Sequence, residues 1–423
     1  MDVTGPAAGR RATGRRTFDR TAVAWVLLDW AASAFSTVLI TLVVTYVERV
    51  AFRDGAGGLP AGVVWAWTLA AAMLVSALAA PWVSAWADRT HGHRRALLGS
   101  VVTGAGALVA LAAFPPAAVV AAIVLANVGF DLAAIFTGSL LPRIAHGPAA
   151  DRLSAAGFAA GYAGGALALV AATALATAHE RLGLTPAGGL RAAFLFTGAW
   201  WLVFSLPAAV TRFGDGAAEA HAATSTRELV AFARALVAPV AGDGLAPLAA
   251  VIGGAVLVLG AVQTAIAQFS SVALEEFHLD GPALVRLVLL VQAVALPGAL
   301  GIGWLAARVS RRAAVAVCLA GWIAVLGGAW FVRTVPQLHG LAVLLALVLG
   351  GVQSVIRAAV ADAAPRGRAG ATFGLLQVGT KLAGFFASFA FGLVFQATGS
   401  PRAGLAVLAL QLLAGWWALR RVR

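Results

Sequence analysis

Turn and basic residues cut the chain into twelve apolar runs, each long enough to cross a bilayer. A helix rises about 1.5 Å per residue, so it needs about 20 mostly apolar residues to span the hydrocarbon core. The runs fall near residues 21–47, 61–86, 96–114, 117–141, 155–178, 191–211, 246–274, 283–307, 313–332, 340–362, 370–396 and 402–419. Pro115-Pro116 and Gly399-Ser400-Pro401 supply turn chemistry for the two tightest links. Only 11% of the residues are charged, against about 25% in a soluble domain. The first run follows an arginine-rich arm and is longer than the apolar core of about 7–15 residues in a cleavable signal peptide. It is read as a retained span.

The net charge of +13 suits a nucleic-acid partner in principle, but the arginines sit between apolar runs and read as topology determinants. With the N-terminus in the cytoplasm, 21 basic residues fall on the cytoplasmic side and 7 on the other. The predicted arrangement is therefore a basic arm at 1–20, a six-helix bundle at 21–211, a cytoplasmic linker at 212–245, a second bundle at 246–420 and a cytoplasmic tail at 421–423. Both termini are expected in the cytoplasm. The halves echo each other. Arg89…Arg94-Arg95 after the second run matches Arg308…Arg311-Arg312 after the eighth, and Gly157 matches Gly374. Parallel repeats of this kind mark transporters built from two related bundles.

Four charges lie inside the runs. Lys381, the only lysine, is 13 residues past Arg368, and Arg357 is 9 before Arg366. Their depths are about 20 and 13 Å by helical rise. Asp29 and Asp131 sit at about 13 and 18 Å by the same rule. Charges so deep suggest a substrate or ion pathway. One reading is a cavity for a zwitterion, its carboxylate near Arg357 or Lys381 and its amine near Asp29 or Asp131. Another is proton coupling through one of the aspartates. A third is static ion pairing that fixes helix packing. Gln263, Gln353, Gln292 and Gln377 are mid-run polar residues that suit either substrate contact or interhelical hydrogen bonding. Trp30 stands beside Asp29 and joins the candidate site. Most other tryptophans, among them Trp65, Trp67, Trp82, Trp86, Trp416 and Trp417, fall near run ends and read as interface anchors. Gly157, Gly161, Gly164 and Gly165 in the fifth run read as a close helix contact.

The single cysteine, Cys318, excludes an internal disulfide, and no clustered ligands suggest a metal. No phosphate-binding loop and no Ser/His/Asp arrangement occurs, so neither ATP hydrolysis nor other enzymatic activity is expected, and no cofactor.

Asp88-Arg89…Arg94-Arg95 resembles the loop signature between the second and third spans of the major facilitator superfamily. Asp88, Arg89, Arg94 and Arg95 are the expected gating residues, because a carboxylate at a helix end can latch arginines and a facing helix N-terminus. Asp29-Trp30-Ala31-Ala32-Ser33, Leu141-Pro142-Arg143, Gly161-Tyr162-Ala163-Gly164-Gly165, and Gly350-Gly351-Val352-Gln353 with Arg357, Phe373-Gly374 and Lys381 resemble one branch of that superfamily, the bacterial relatives of the autophagy-related vacuolar effluxer. The resemblance runs from about Ala24 to Arg420. It implies an all-α membrane protein of the major facilitator fold, twelve transmembrane helices in two six-helix pseudo-repeats. It implies a secondary transporter of the bacterial cytoplasmic membrane, acting as a monomer on a small solute, with amino acids as the vacuolar members' implied cargo and a proton as a second partner. The bilayer is its other partner. The sequence departs from the family pattern at Ala32, Gly138, Leu259 and Gly260, where polar groups are usual. A greasier cavity keeps a proton-coupled exporter of hydrophobic, drug-like compounds as an alternative. A non-transporting sensor or assembly partner on the same scaffold is the alternative of another class.

Overall fold

Prolines and capping side chains fix where the helices begin. Pro116, Pro148, Pro186 and Pro401 each open a helix, where the missing N–H costs nothing. Asp19, Asp280 and Ser310 cap others, and Thr185 caps the helix that Pro186 opens, each accepting from the amide three residues on. Gly183 and Gly399 take left-handed φ values of 66° and 68°, which let the chain turn back after two helices.

The computed structural model describes residues 19–90, 92–111, 116–145, 148–211, 213, 246–363 and 369–420. Among them are twelve helices long and apolar enough to cross a membrane. They are α1 (Arg20–Ala51), α2 (Ala61–Arg89), α3 (His93–Leu111), α4 (Pro116–Ile144), α5 (Pro148–Thr177) and α6 (Pro186–Val210). After the segment 214–245, which lies outside the described residues with most of the expected linker, come α7 (Ala246–Glu276), α8 (Gly281–Arg308) and α9 (Arg311–Gly328). The chain ends with α10 (Val335–Ala363), α11 (Ala369–Thr398) and α12 (Pro401–Arg420). Several ends differ from the sequence expectation: α5 begins seven residues before its apolar run, and α6 and α10 five before theirs. α1 does not stop at Val47 but runs on to Ala51, through π-helical turns at Leu39–Val43 and Val47–Ala51.

Packing follows the repeat. α1 packs on α5 and α6, α2 on α4, and α3 on α4 and α6. Adding six to each label recovers contacts that also occur: α7 on α11 and α12, α8 on α10, and α9 on α10 and α12. The two groups meet chiefly through α2–α11 and α5–α8, two contacts that the same shift interchanges. This places the faces of α1, α2, α4, α5, α7, α8 and α11 around a central seam. Leu78, Val210, Phe386 and Leu410, by contrast, are more than half exposed on the outside. Lipid rather than water is the natural solvent for that rim.

Candidate functional site

An ion pair lies at the centre of the seam. Lys381 of α11 sets its Nζ 2.6 Å from Asp131 Oδ1 of α4, with the two side chains only 17% and 9% exposed. The same Nζ donates to Gln263 Oε1 of α7 at 3.2 Å. Three helices from both halves thus converge on one ammonium. A narrow cleft adjoins it, lined by Ser76, Ala77 and Ala80 of α2 with Asp131, Gln377 and Lys381. The small side chains of α2 make that space at the α2–α11 crossing. Ser76 is buried, and its hydroxyl has no hydrogen-bond partner among the described residues. A low-dielectric site strengthens the Lys381–Asp131 attraction, but desolvation offsets much of the gain. The pair is therefore held firmly only while both partners are present.

Of the remaining expected residues, those with described side chains do not line the cleft. Asp29 lies on α1 against Gly157 of α5, within the N-terminal half. Trp30 is not at the cleft: its ring stacks on Trp200 at 5.9 Å and meets Phe204 edge-on, with Gly164 behind it. Gly164 has no side chain, so α5 can approach the indole closely, and the contact serves α1–α5–α6 packing. Gln353 donates weakly to Leu349 O of its own helix at 3.5 Å. Arg357 lies on α10, but its side chain falls outside the described residues, as do those of Asp88 and Arg89 at the end of α2. Arg94 and Arg95 are exposed on the first turn of α3. The Gly260 position is not an opened cavity. A Cβ there would lie 2.7 Å from Ala383 Cβ and 2.9 Å from Gln411 Nε2, so packing by α11 and α12 fills it.

Sequence reasoning missed a set of contacts that joins the two halves at the end of the bundle remote from the termini. Ser271 of α7 donates to Glu48 Oε1 of α1 at 2.6 Å, and Arg49 donates to the Leu274 carbonyl at 3.0 Å. Trp65 donates to Ala267 O at 3.2 Å and Trp67 to Phe389 O at 3.3 Å. Deeper in, Gln292 of α8 donates to Thr37 of α1 at 2.8 Å. Trp65 is fully buried and fastens α2 to α7, so it is not the membrane-interface anchor that its position near a span end suggests. Trp82, 70% exposed, does face outward. The signal for Glu48 was present as the Glu48-Arg49 doublet, but ending the first span at Val47 put both residues in a loop.

Comparison with known proteins agrees with this geometry. A family model described as vacuole effluxer Atg22 like matches residues 64–423. An uncharacterised MFS-type transporter of Bacillus subtilis, YxiO, is 24% identical over 421 residues, covering 94% of this chain and 93% of its own. The human organic anion transporter MFSD10 superposes with a TM-score of 0.62 at 16% identity, over 95% of this chain and 99% of its own. The inward-open xylose transporter XylE of E. coli gives 0.69 at 15% identity, over 96% and 97%. At such identities the two structures establish the shared fold alone. The family match spans most of the chain, and the fold, the twelve apolar helices and the charged seam agree with it. The chain belongs to the vacuole effluxer Atg22-like family and is a multi-pass MFS-type transporter, not an enzyme.

Proposed function

We propose that this protein is a secondary active exporter of the bacterial cytoplasmic membrane, with both termini in the cytoplasm. Its cargo is a small solute bearing an anionic group, with amino acids and related metabolites as the best-fitting class. The observation that carries this reading is the Lys381–Asp131 pair, which links the two halves at the floor of the cleft. A carboxylate entering the cleft competes with Asp131 for the ammonium. Lys381 then neutralises the solute, and the Ser76 hydroxyl, which has no hydrogen-bond partner among the described residues, offers it a second contact. Asp131, released from Lys381, takes either the solute's ammonium or a proton, so no uncompensated charge remains in the seam. Exchanging the partners of Lys381 loosens the link between the halves and permits rocking about the central site. The excess of basic residues on the cytoplasmic side supports the orientation. An anionic cargo is also consistent with the human structural neighbour, which is an organic anion transporter.

The test is a thermal-shift screen of the purified protein against amino acids, dipeptides and lipophilic cations, followed by uptake in proteoliposomes. A ligand that binds the folded state raises its apparent stability by mass action, by about 2.7 kcal/mol at 100 times Kd. The expected result is a shift with a carboxylate-bearing solute that Lys381→Ala removes. A shift confined to lipophilic cations, or one untouched by Lys381→Ala, overturns the anionic-cargo reading.

A further inference from the structure

A buried carboxylate well away from the central pair remains without a role. Glu48 of α1 is 3% exposed. Its Oε1 accepts from Ser271, while its Oε2 is buried with no hydrogen-bond partner among the described residues. Gln268 precedes Ser271 by three residues on α7, so the two share a face. Gln268 is fully buried, and both of its amide atoms lack partners among the described residues. The π-helical turn Val47–Ala51 holds Glu48 at this interface, and such turns concentrate at functional sites. Gly62 of α2 makes room for the Ser271 hydroxyl, since a Cβ there would lie 3.0 Å from it and 2.6 Å from the Phe395 ring.

The surrounding charges do not complete this set. Arg49 and Glu275 are the charged neighbours that act on Glu48, and they carry opposite signs. Arg49 directs a guanidinium nitrogen to the Leu274 carbonyl. Gly62 and Trp65 of α2 and Phe395 of α11 bring no charge. Asp280 and Arg286, at the start of α8, are exposed. Glu48 Oε2 and the Gln268 amide are therefore buried without hydrogen-bond partners among the described residues, at an interface between the halves where Arg49 turns to the Leu274 carbonyl.

We propose that Glu48, Gln268 and Ser271 form a site for one small monovalent cation, a proton or a sodium ion, and that its occupancy holds the outer gate shut. With the cation bound, the carboxyl is electrically compensated and α1 stays against α7. When the cation leaves, the carboxylate keeps one hydroxyl partner in a dry seam, and hydrating it requires the gate to part. The proposal goes beyond the transport reading and depends on neither the solute nor Lys381.

The test uses the full chain in lipid nanodiscs without added solute. Cys318→Ala removes the only cysteine, and Thr45→Cys places a thiol at the gate, where Thr45 Cγ2 is 3.6 Å from a Cβ built on Gly281. Labelling by a hydrophilic maleimide is measured and divided by the rate for the same thiol in unfolded protein at the same pH. Acidification in potassium buffer slows labelling by about fivefold or more if the ligand is a proton. Replacing potassium by sodium at one alkaline pH does so if it is sodium. Glu48→Gln abolishes the dependence, and Ser271→Ala weakens it should Glu48→Gln fail to fold. Labelling indifferent to both cations overturns the proposal, as does a dependence that survives Glu48→Gln and Ser271→Ala. With no solute present, either result leaves the transport reading to be tested separately.

Discussion

Lys381 is a point charge in a chain whose other basic side chains are all arginine. Arginine grips a carboxylate with a planar two-pronged fork, whereas lysine makes single, rotatable contacts. A partner that must be exchanged in each cycle suits the lysine. Lys381→Ala leaves Asp131 buried without its cation, and breaking a buried pair in this way costs about 3–5 kcal/mol. Removing Asp131 as well deletes the stranded charge. The expected outcome of a double-mutant cycle is that Lys381→Ala/Asp131→Ala unfolds at a higher temperature than Lys381→Ala, although both have lost transport. Additive losses would mean that the two side chains do not depend on each other. This pairing was half legible in the sequence. Helical rise put Asp131 within about 2 Å of the depth of Lys381 and Asp29 some 7 Å shallower. Depth carries no azimuth, however. Nothing in the sequence said that α4 and α11 face each other while α1 turns Asp29 toward Gly157.

At the scale of the helix, the glycines of α5 set how near α1 can come. A Cβ on Gly164 would lie 2.7 Å from both the backbone oxygen and the ring of Trp30, so α5 cannot accept a side chain there without moving. Gly164→Leu is expected to destabilise the protein by about 1–3 kcal/mol, the usual range for overpacking. Trp30→Ala in the same chain should restore only part of the loss, because the Trp30 backbone oxygen still obstructs; this is read by thermal unfolding in one detergent. Full rescue would place the clash on the ring alone. Helix number and glycine faces follow from run length and from spacings of three and four, and they are legible for that reason. Trp30 is a different case. Its neighbour Asp29 suggests a polar cavity, but Trp200 and Phe204 of α6, far along the chain, build the aromatic pocket that takes its ring. The end of α1 was misjudged for a local reason: hydropathy falls at Glu48-Arg49, yet a π turn carries the helix through them, and α7 offers Ser271 to Glu48 and the Leu274 carbonyl to Arg49.

For the whole molecule, the structure is fastened at the end remote from the termini. Glu48–Ser271, Arg49–Leu274, Trp65–Ala267 and Trp67–Phe389 all join one half to the other there. If the halves rock about the central pair as packed bundles, these bonds must break together. A covalent tie across the same line should then trap the closed arrangement. Thr45 of α1 and Gly281 of α8 face each other, with 3.6 Å between Thr45 Cγ2 and a Cβ built on Gly281. A cysteine Sγ in the place of Thr45 Cγ2 would stand that far from the partner Cβ, close enough for side-chain rotation to bring the two sulfurs together. In a Cys318→Ala background, Thr45→Cys/Gly281→Cys should cross-link under mild oxidation without solute. Transport in proteoliposomes should stop on oxidation and return with reductant, while each single cysteine variant stays active throughout. A cross-linked protein that still transports would mean that this end does not open during the cycle. Alternating access in this protein would then need a different moving part.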